Sequence, residues 1–179
     1  MSLYIADPLS RNDLRRYALQ IRKQMRCEDV PYFPVVEFLE IFHELIGNPE
    51  FHFVSLDDNE FSSTIHAQYD VEENCICLRE SVYNGAIAGN GRDRMTISHE
   101  LAHALLIKHS GIRLNRCFSH EKIPAYRDPE WQAKCLAGEL MIPEHLARNM
   151  SVSEIVDSCC VSYTAAKYQA RTFEKERKR

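Results

Sequence analysis

The chain has 179 residues, a formal net charge of −4 at neutral pH and a hydrophobic content of 45%. A chain of this length buries enough surface for one core without disulfide bonds, so we expect a single domain over residues 1–179. The acidic balance gives no general attraction for nucleic acid, and no apolar run approaches the length of about 18 residues that a membrane-spanning helix needs.

The first elements in chain order are helices. Ser10 is typical of a helix N-cap, and apolar residues recur at helical spacing from there to about Met25. A second helix is predicted from Pro34 to Gly47, because proline favours the first turn of a helix and glycine favours its end.

Three segments after these helices have the alternation that is typical of short strands. They are residues 51–56, 63–69 and 74–79, and Asp70 to Asn74 is predicted to form a hairpin turn between the last two. We therefore expect a small, mainly antiparallel sheet of three strands. Residues 63–69 or 74–79 are the candidates for a free edge to which an extended peptide could add.

An H-E-x-x-H motif follows the predicted sheet, at His99-Glu100-Leu101-Ala102-His103 inside an apolar run. Residues 93–109 have a helical pattern, for which Asp93 is the candidate cap. Histidines four residues apart lie on the same face of a helix, so His99 and His103 can bind one ion while Glu100 lies beside it. The pattern is typical of a zinc hydrolase.

A catalytic zinc site needs a third protein ligand, and two residues compete for that position. His109 falls where a metzincin ligand would lie, but Leu106 stands where that pattern needs a glycine to turn the chain. Glu130 falls in the first turn of a second predicted helix, which Asp128 caps and Pro143 ends. The helix dipole also favours an acid at such a position on an ordinary surface, so the residues alone leave the choice open.

The two motif segments together resemble the ImmA/IrrE family of zinc metallo-endopeptidases. The segments are RMTISHELAHALL and YRDPEWQAKCLAGELMIP, and the resemblance covers roughly residues 60 to 172. Lys134 stands where the family usually has asparagine, and Leu136 where it has phenylalanine; both changes are compatible with packing.

The resemblance implies a zincin-like α+β fold and a catalytic zinc ion. It implies that His99, His103 and Glu130 bind Zn²⁺ and that Glu100 is the general base. The predicted elements divide this domain into N-terminal helices over residues 1–50, the sheet and catalytic core over 51–143, and C-terminal helices over 144–179.

The expected activity is that of a zinc-dependent endopeptidase. Members of this family cut helix-turn-helix repressors that are often encoded beside them in mobile elements or stress-response loci, so the resemblance implies such a repressor as substrate and partner. The N-terminus has no basic-then-apolar signal, and the cysteines lack a C-x-x-C spacing, so we expect a cytoplasmic protein. The oligomeric state is not predicted.

The connection between the two motif helices, residues 110–129, is long enough to be functional. His120, Tyr126 and Arg127 are candidates for the hydrogen bond that stabilises the tetrahedral oxyanion. Tyr126 is the first choice because it lies four residues before Glu130.

Two other functions compete with proteolysis. Residues 151–172 have the pattern of two helices joined by a tight turn, which resembles a DNA-binding helix-turn-helix. Its second helix has few basic residues, Lys167 and Arg171, and basic residues supply most of the affinity for DNA phosphates, so this alternative is disfavoured. The other alternative is a zinc-binding interaction module without turnover. The intact Glu100 argues against this second alternative.

Overall fold

The computed structural model describes residues 4–62, 65–110, 115–116 and 123–178. The strands in this part are β1 (Tyr4–Ile5), β2 (His52–Leu56), β3 (Ala67–Asp70), β4 (Cys75–Arg79) and β5 (Asn115–Arg116). The helices are α1 (Arg11–Gln24), α2 (Val35–Glu40), α3 (Phe42–Leu45), α4 (Glu80–Ile87), α5 (Gly91–Ser110), α6 (Pro129–Met141), α7 (Glu144–Ala147), α8 (Val152–Cys159) and α9 (Tyr163–Arg177). None of the described helices is long and apolar enough to cross a membrane.

The N-terminal helices form largely as the sequence predicts. The Ser10 hydroxyl accepts a hydrogen bond from the Asp13 amide, and the Asp13 carboxylate accepts one from the Ser10 amide, so a capping box begins α1. The single helix predicted from Pro34 to Gly47 was wrong, because the chain breaks at Ile41 into α2 and α3. The break accompanies edge-on packing of Phe42 against Phe38 and Phe51 in the core.

The three-stranded sheet is mixed, and the expectation of a mainly antiparallel sheet was wrong. β3 and β4 form the predicted antiparallel hairpin, in which the Asp70 carboxylate accepts hydrogen bonds from the Glu72 and Glu73 amides. β2 instead pairs in parallel with β4, which gives the order β2-β4-β3. Alternation along a strand reports which face is buried but not which strand lies beside it, so this order was not predictable.

The two motif helices form the centre of the molecule together with α1. Most of α6 is buried between α1 and α5, and the sheet contacts α5 through β3. Asp128 caps α6, as predicted, by accepting a hydrogen bond from the Glu130 amide, and Pro129 occupies the first turn. Asn90, not Asp93, caps α5: its side chain accepts hydrogen bonds from the amides of Arg92 and Asp93.

The C-terminal helices α8 and α9 form the predicted pair of helices within 151–172, and each begins at a serine cap. Ser151 forms a capping box with Glu154, and the Ser162 hydroxyl accepts a hydrogen bond from the Ala165 amide. The turn between the helices packs on α5, where a Cβ added to Gly91 would lie 2.3 Å from the Val161 carbonyl carbon. Only glycine allows this approach. DNA binding by residues 151–172, like the division into one domain over 1–179, stays a prediction.

Arg94 links the start of α5 to two distant segments. This side chain is 1% exposed, and its guanidinium donates hydrogen bonds to the Cys160 carbonyl at 3.0 Å, the Tyr32 hydroxyl at 2.8 Å and the Phe33 carbonyl at 2.7 Å. Removal of this group leaves the buried Phe33 carbonyl and the partly buried Cys160 carbonyl without this donor, and an unpaired buried acceptor is costly. Arg94 is therefore expected to stabilise the fold.

We predict that Arg94→Met lowers the free energy of unfolding by about 3 kcal/mol, because hydrogen bonds from a charged group to buried carbonyls are lost. Arg16→Met is the matched control, since Arg16 is exposed and pairs with Asp13 on the same helix surface; it should cost less than about 1 kcal/mol. Urea unfolding measures both. Equal losses in the two variants would contradict a structural role of Arg94.

Candidate metal centre

Three of the predicted site residues converge on one point between α5 and α6. The Nε2 atoms of His99 and His103 lie 3.2 Å apart, and the Glu130 carboxylate lies 3.6 Å from His99 Nε2 and 3.2 Å from His103 Nε2. Ligand atoms at about 2.1 Å from a tetrahedral zinc ion are separated by roughly 3.4 Å. The group could therefore hold a metal ion without a change of backbone, and its donor set of two imidazoles and one carboxylate is one that zinc accepts.

Helical geometry explains why these three groups meet. His99 and His103 are one turn apart on α5, and their rings pack edge to face with centroids 4.6 Å apart. Glu130 is in the first turn of α6, which begins at the Asp128 cap beside them. Lys134, one turn further along α6, lies 3.9 Å from the Glu130 carboxylate and compensates part of its charge.

The environment holds the two imidazoles in the form that a metal requires. Burial, together with the neighbouring His103, lowers the pKa of His99 to about 4, and burial also lowers the pKa of His103. Both rings are therefore neutral near pH 7. A neutral imidazole has a free nitrogen lone pair, so no proton has to leave before a metal binds.

Glu100 lies in the same cavity but does not belong to the group of three. Its carboxylate accepts a hydrogen bond of 2.9 Å from the Tyr69 amide on β3. Burial raises the pKa of Glu100 to about 7, although the Tyr69 hydrogen bond opposes that shift. A carboxyl group with a pKa close to the working pH can both accept and release a proton, which is what acid–base catalysis requires.

His99, Glu100, His103 and Glu130 all line one cavity of about 400 Å³. Ala67, Gln68 and Tyr69 of β3 form one wall, and Pro129 of α6 lies on another. The chain thus surrounds the four polar groups with a strand on one side and two helices on the other. Such a concave site suits an extended chain that lies along the strand.

Tyr126, the fifth predicted residue, is not brought into this cavity. It lies on the 3₁₀ turn Ala125–Arg127 with 50% of its surface exposed, and it is absent from the described residues that line the cavity. Its carbonyl accepts hydrogen bonds from the Leu9 amide and the Gln132 side chain. An oxyanion role for Tyr126 stays a prediction. His120 and the side chain of His109 lie outside the described residues.

Tyr69 is a site residue that the sequence analysis missed. Its amide holds Glu100, a backbone contact for which a sequence pattern carries no signal. The His66 carbonyl accepts a hydrogen bond from the Arg79 amide and so faces β4. Because backbone groups alternate in direction along a strand, those of Ala67 and Tyr69 face away from the sheet, toward the cavity.

β3 is the outer strand of the described sheet on the side of the metal centre. Of the two predicted edges, the segment 63–69 occupies this position, since its residues 67–69 belong to β3, whereas the 74–79 segment contains the central strand β4 and is excluded as an edge. Residues 63 and 64 lie outside the described part. The outward backbone groups of β3 therefore border the same cavity as the histidines.

Comparison with known proteins gives one family. The model described as Peptidase_M78, IrrE N-terminal-like domain, matches residues 59–170, which is more than half of the chain. The matched segment contains β3, β4, both motif helices and α8. No curated protein matches the chain.

The geometry predicts that Glu130→Ala lowers the affinity for zinc at least about a hundredfold, because one of three ligand atoms is lost. Glu37→Ala is the matched control: Glu37 is also an acid in the first turn of a helix, but it lies on α2 away from the histidines. Competition with a chromophoric chelator measures the affinity. Equal zinc binding by both variants would mean that Glu130 is only a dipole-favoured surface acid.

Proposed function

The chain belongs to the IrrE N-terminal-like peptidase family, and we propose that it is a zinc-dependent endopeptidase in which His99, His103 and Glu130 bind the metal and Glu100 is the general base. One observation carries the proposal. The three ligand atoms lie within 4.8 Å of one another, and the Glu100 carboxylate lines the same cavity. The family supplies the peptidase activity, and the donor set favours zinc.

The chemistry divides between the ion and the chain. A zinc ion held by His99, His103 and Glu130 would supply Lewis acidity to the scissile carbonyl and would lower the pKa of a water molecule. Glu100 takes a proton from the attacking water as the water oxygen bonds to the scissile carbonyl carbon, and it delivers that proton to the amine nitrogen as the carbon–nitrogen bond breaks. The Tyr69 amide hydrogen bond holds one carboxylate oxygen of Glu100 and leaves the other for the water, so the strand that borders the cavity also orients the base.

The proposed substrate is a helix-turn-helix repressor, as the family resemblance implies. The outward backbone groups of β3 favour an extended peptide, because an added strand forms main-chain hydrogen bonds with Ala67 and with the Tyr69 carbonyl. A folded helix cannot make these bonds. We therefore place the cleavage site in an extended segment of the repressor. Cytoplasmic localisation stays a prediction.

We predict that Glu100→Gln keeps zinc but cleaves the repressor encoded beside its gene at least about a hundredfold more slowly, because the amide cannot accept the proton of the water. Glu80→Gln is the control, an exposed acid in the first turn of α4 outside the cavity. Metal content and the time course of cleavage are measured for both. A wild-type protein that binds zinc and leaves the repressor intact would instead favour the non-proteolytic module.

The proposed strand addition is tested at Ala67. Ala67→Pro removes an outward amide, so we expect cleavage to fall at least about tenfold, while Ala67→Ser keeps the amide at similar side-chain size and should cleave normally. Proline is tolerated at an edge strand when its missing amide faces away from the sheet. Zinc affinity serves as the check that the site is intact. Normal cleavage by a zinc-bound Ala67→Pro variant would exclude main-chain pairing at this position.

A further inference from the structure

A second cavity, of about 500 Å³, lies between α5, α6 and α9, and we name it the α9 pocket. Each helix contributes one stripe of residues at helical spacing. The residues that form the walls include Met95 and Thr96 of α5, Ala137 and Gly138 of α6, and Ala165 and Tyr168 of α9. The surface of the pocket is mainly apolar, and the proposed catalytic chemistry does not use it.

The α9 pocket adjoins the metal centre through one residue. His99 lines both the α9 pocket and the cavity that contains His103, Glu100 and Glu130. Successive residues of an extended chain advance by about 3.3 Å. A peptide whose scissile carbonyl lies at the histidines therefore has a neighbouring side chain within reach of the α9 pocket.

The direction of β3 determines which neighbour this is. The His66 ring lies 3.2 Å from the Arg92 guanidinium near the start of α5, and the Tyr69 amide lies 2.9 Å from Glu100 further along the helix. β3 and α5 thus run in the same direction. Antiparallel strand pairs outnumber parallel ones in proteins, so we take the substrate to pair antiparallel with β3. Such a peptide runs from the His103 end of the cavity toward Arg92, which places the residue after the scissile bond at the α9 pocket.

The lining indicates which side chains fit. Exposed Arg92 and Lys134 contribute cations to the lining, which disfavours lysine or arginine as the occupant. Gln169, 2% exposed, also lines the pocket, and its Nε2 has no hydrogen-bond partner among the described residues. A buried donor without a partner favours an occupant that brings an acceptor.

We propose that the α9 pocket binds the side chain of the substrate residue that follows the scissile bond, and that it selects a long side chain without a positive charge. The apolar walls bind its aliphatic part, and the Gln169 amide donates a hydrogen bond where the side chain ends in an acceptor. The inference rests on the proposed peptidase function, because the metal centre fixes the position of the peptide.

The test uses succinyl hydroxamates, which bind a zinc ion and present one substituent at the position after the scissile bond. Isothermal titration of the zinc-loaded protein compares hydrogen, isobutyl and 4-aminobutyl substituents, so the readout is affinity and not turnover. We expect isobutyl to bind at least about tenfold more tightly than hydrogen, because its burial removes apolar surface from water. The 4-aminobutyl probe should have no such advantage.

Two variants change the pocket and one is a control. Ala165→Leu fills the α9 pocket and should reduce the preference for isobutyl to less than about threefold, with the affinity of the hydrogen probe unchanged. Tyr168→Ala removes a wall at a position that is 59% exposed, so it should fold normally and weaken isobutyl binding several-fold. Arg171→Leu is the control: it introduces a leucine, as Ala165→Leu does, but at an exposed position of α9, so the wild-type preference should remain.

A 2-carbamoylethyl probe tests Gln169. We expect Gln169→Leu to bind this probe about tenfold more weakly than the wild-type protein does, and to bind isobutyl with nearly unchanged affinity, because only the carbamoyl oxygen uses the lost donor. Equal weakening of both probes would exclude the hydrogen bond.

The outcomes separate the pocket from the peptidase. Hydroxamates that bind the zinc-loaded protein without a side-chain preference, or with a preference that Tyr168→Ala and Ala165→Leu leave unchanged, would overturn the pocket while the metal centre stands. If Ala165→Leu does not fold, the Tyr168→Ala result decides. A protein that retains neither zinc nor any hydroxamate would overturn the proposed function, and the α9 pocket with it.

Discussion

The packing of α5 against α6 is the contact on which the candidate metal centre depends. Glu130 is distant in sequence from His99 and His103, and only the placement of one helix start beside the middle of another brings them together. Small buried residues, Ala102 on α5 and Ala133 and Ala137 on α6, form part of this core. Small side chains let helices approach closely, and the Ser98 hydroxyl also donates a hydrogen bond of 3.5 Å to the Ala137 carbonyl. A larger residue at Ala133 or Ala137 would push α6 away from α5 and so separate Glu130 from the two histidines, although the three side chains themselves would be unchanged.

The same packing concentrates like charge. Glu100 and Glu130 both line one cavity, and the repulsion between them is among the causes that raise the pKa of Glu100. The neutral imidazoles offer no positive charge to offset it. A divalent cation between His99, His103 and Glu130 would remove this cost, so metal binding and folding stability are coupled in the proposed site. The helical framework therefore holds two carboxylates close together without enough positive charge from the chain to balance them.

Local signals predicted much of this framework. Side-chain caps at Ser10, Asp128, Ser151 and Ser162 involve neighbours in sequence, and all four were predictable for that reason. The cap of α5 was assigned to Asp93, although Asn90 is the residue whose side chain reaches the first amides.

Non-local features were not predictable in the same way. Strand order, the break at Ile41 and the whole of α4 depend on what packs beside each segment. The helical spacing of His99 and His103 is local, whereas the contact of Glu100 with Tyr69 joins a helix to a strand and has no local signature.

The C-terminal helices illustrate the difference between a pattern and its use. Serine caps and a tight turn at Cys160 are features of a helix-turn-helix, but they indicate only that two helices meet at an angle. In this fold the turn packs on α5: Gly91 leaves room for it, and the Arg94 side chain donates a hydrogen bond to the Cys160 carbonyl. The polar residue that α9 buries, Gln169, then faces a pocket beside a proposed metal ligand. The helix that resembles a DNA-binding helix in sequence thus lines, in this fold, the pocket that we propose for a substrate side chain.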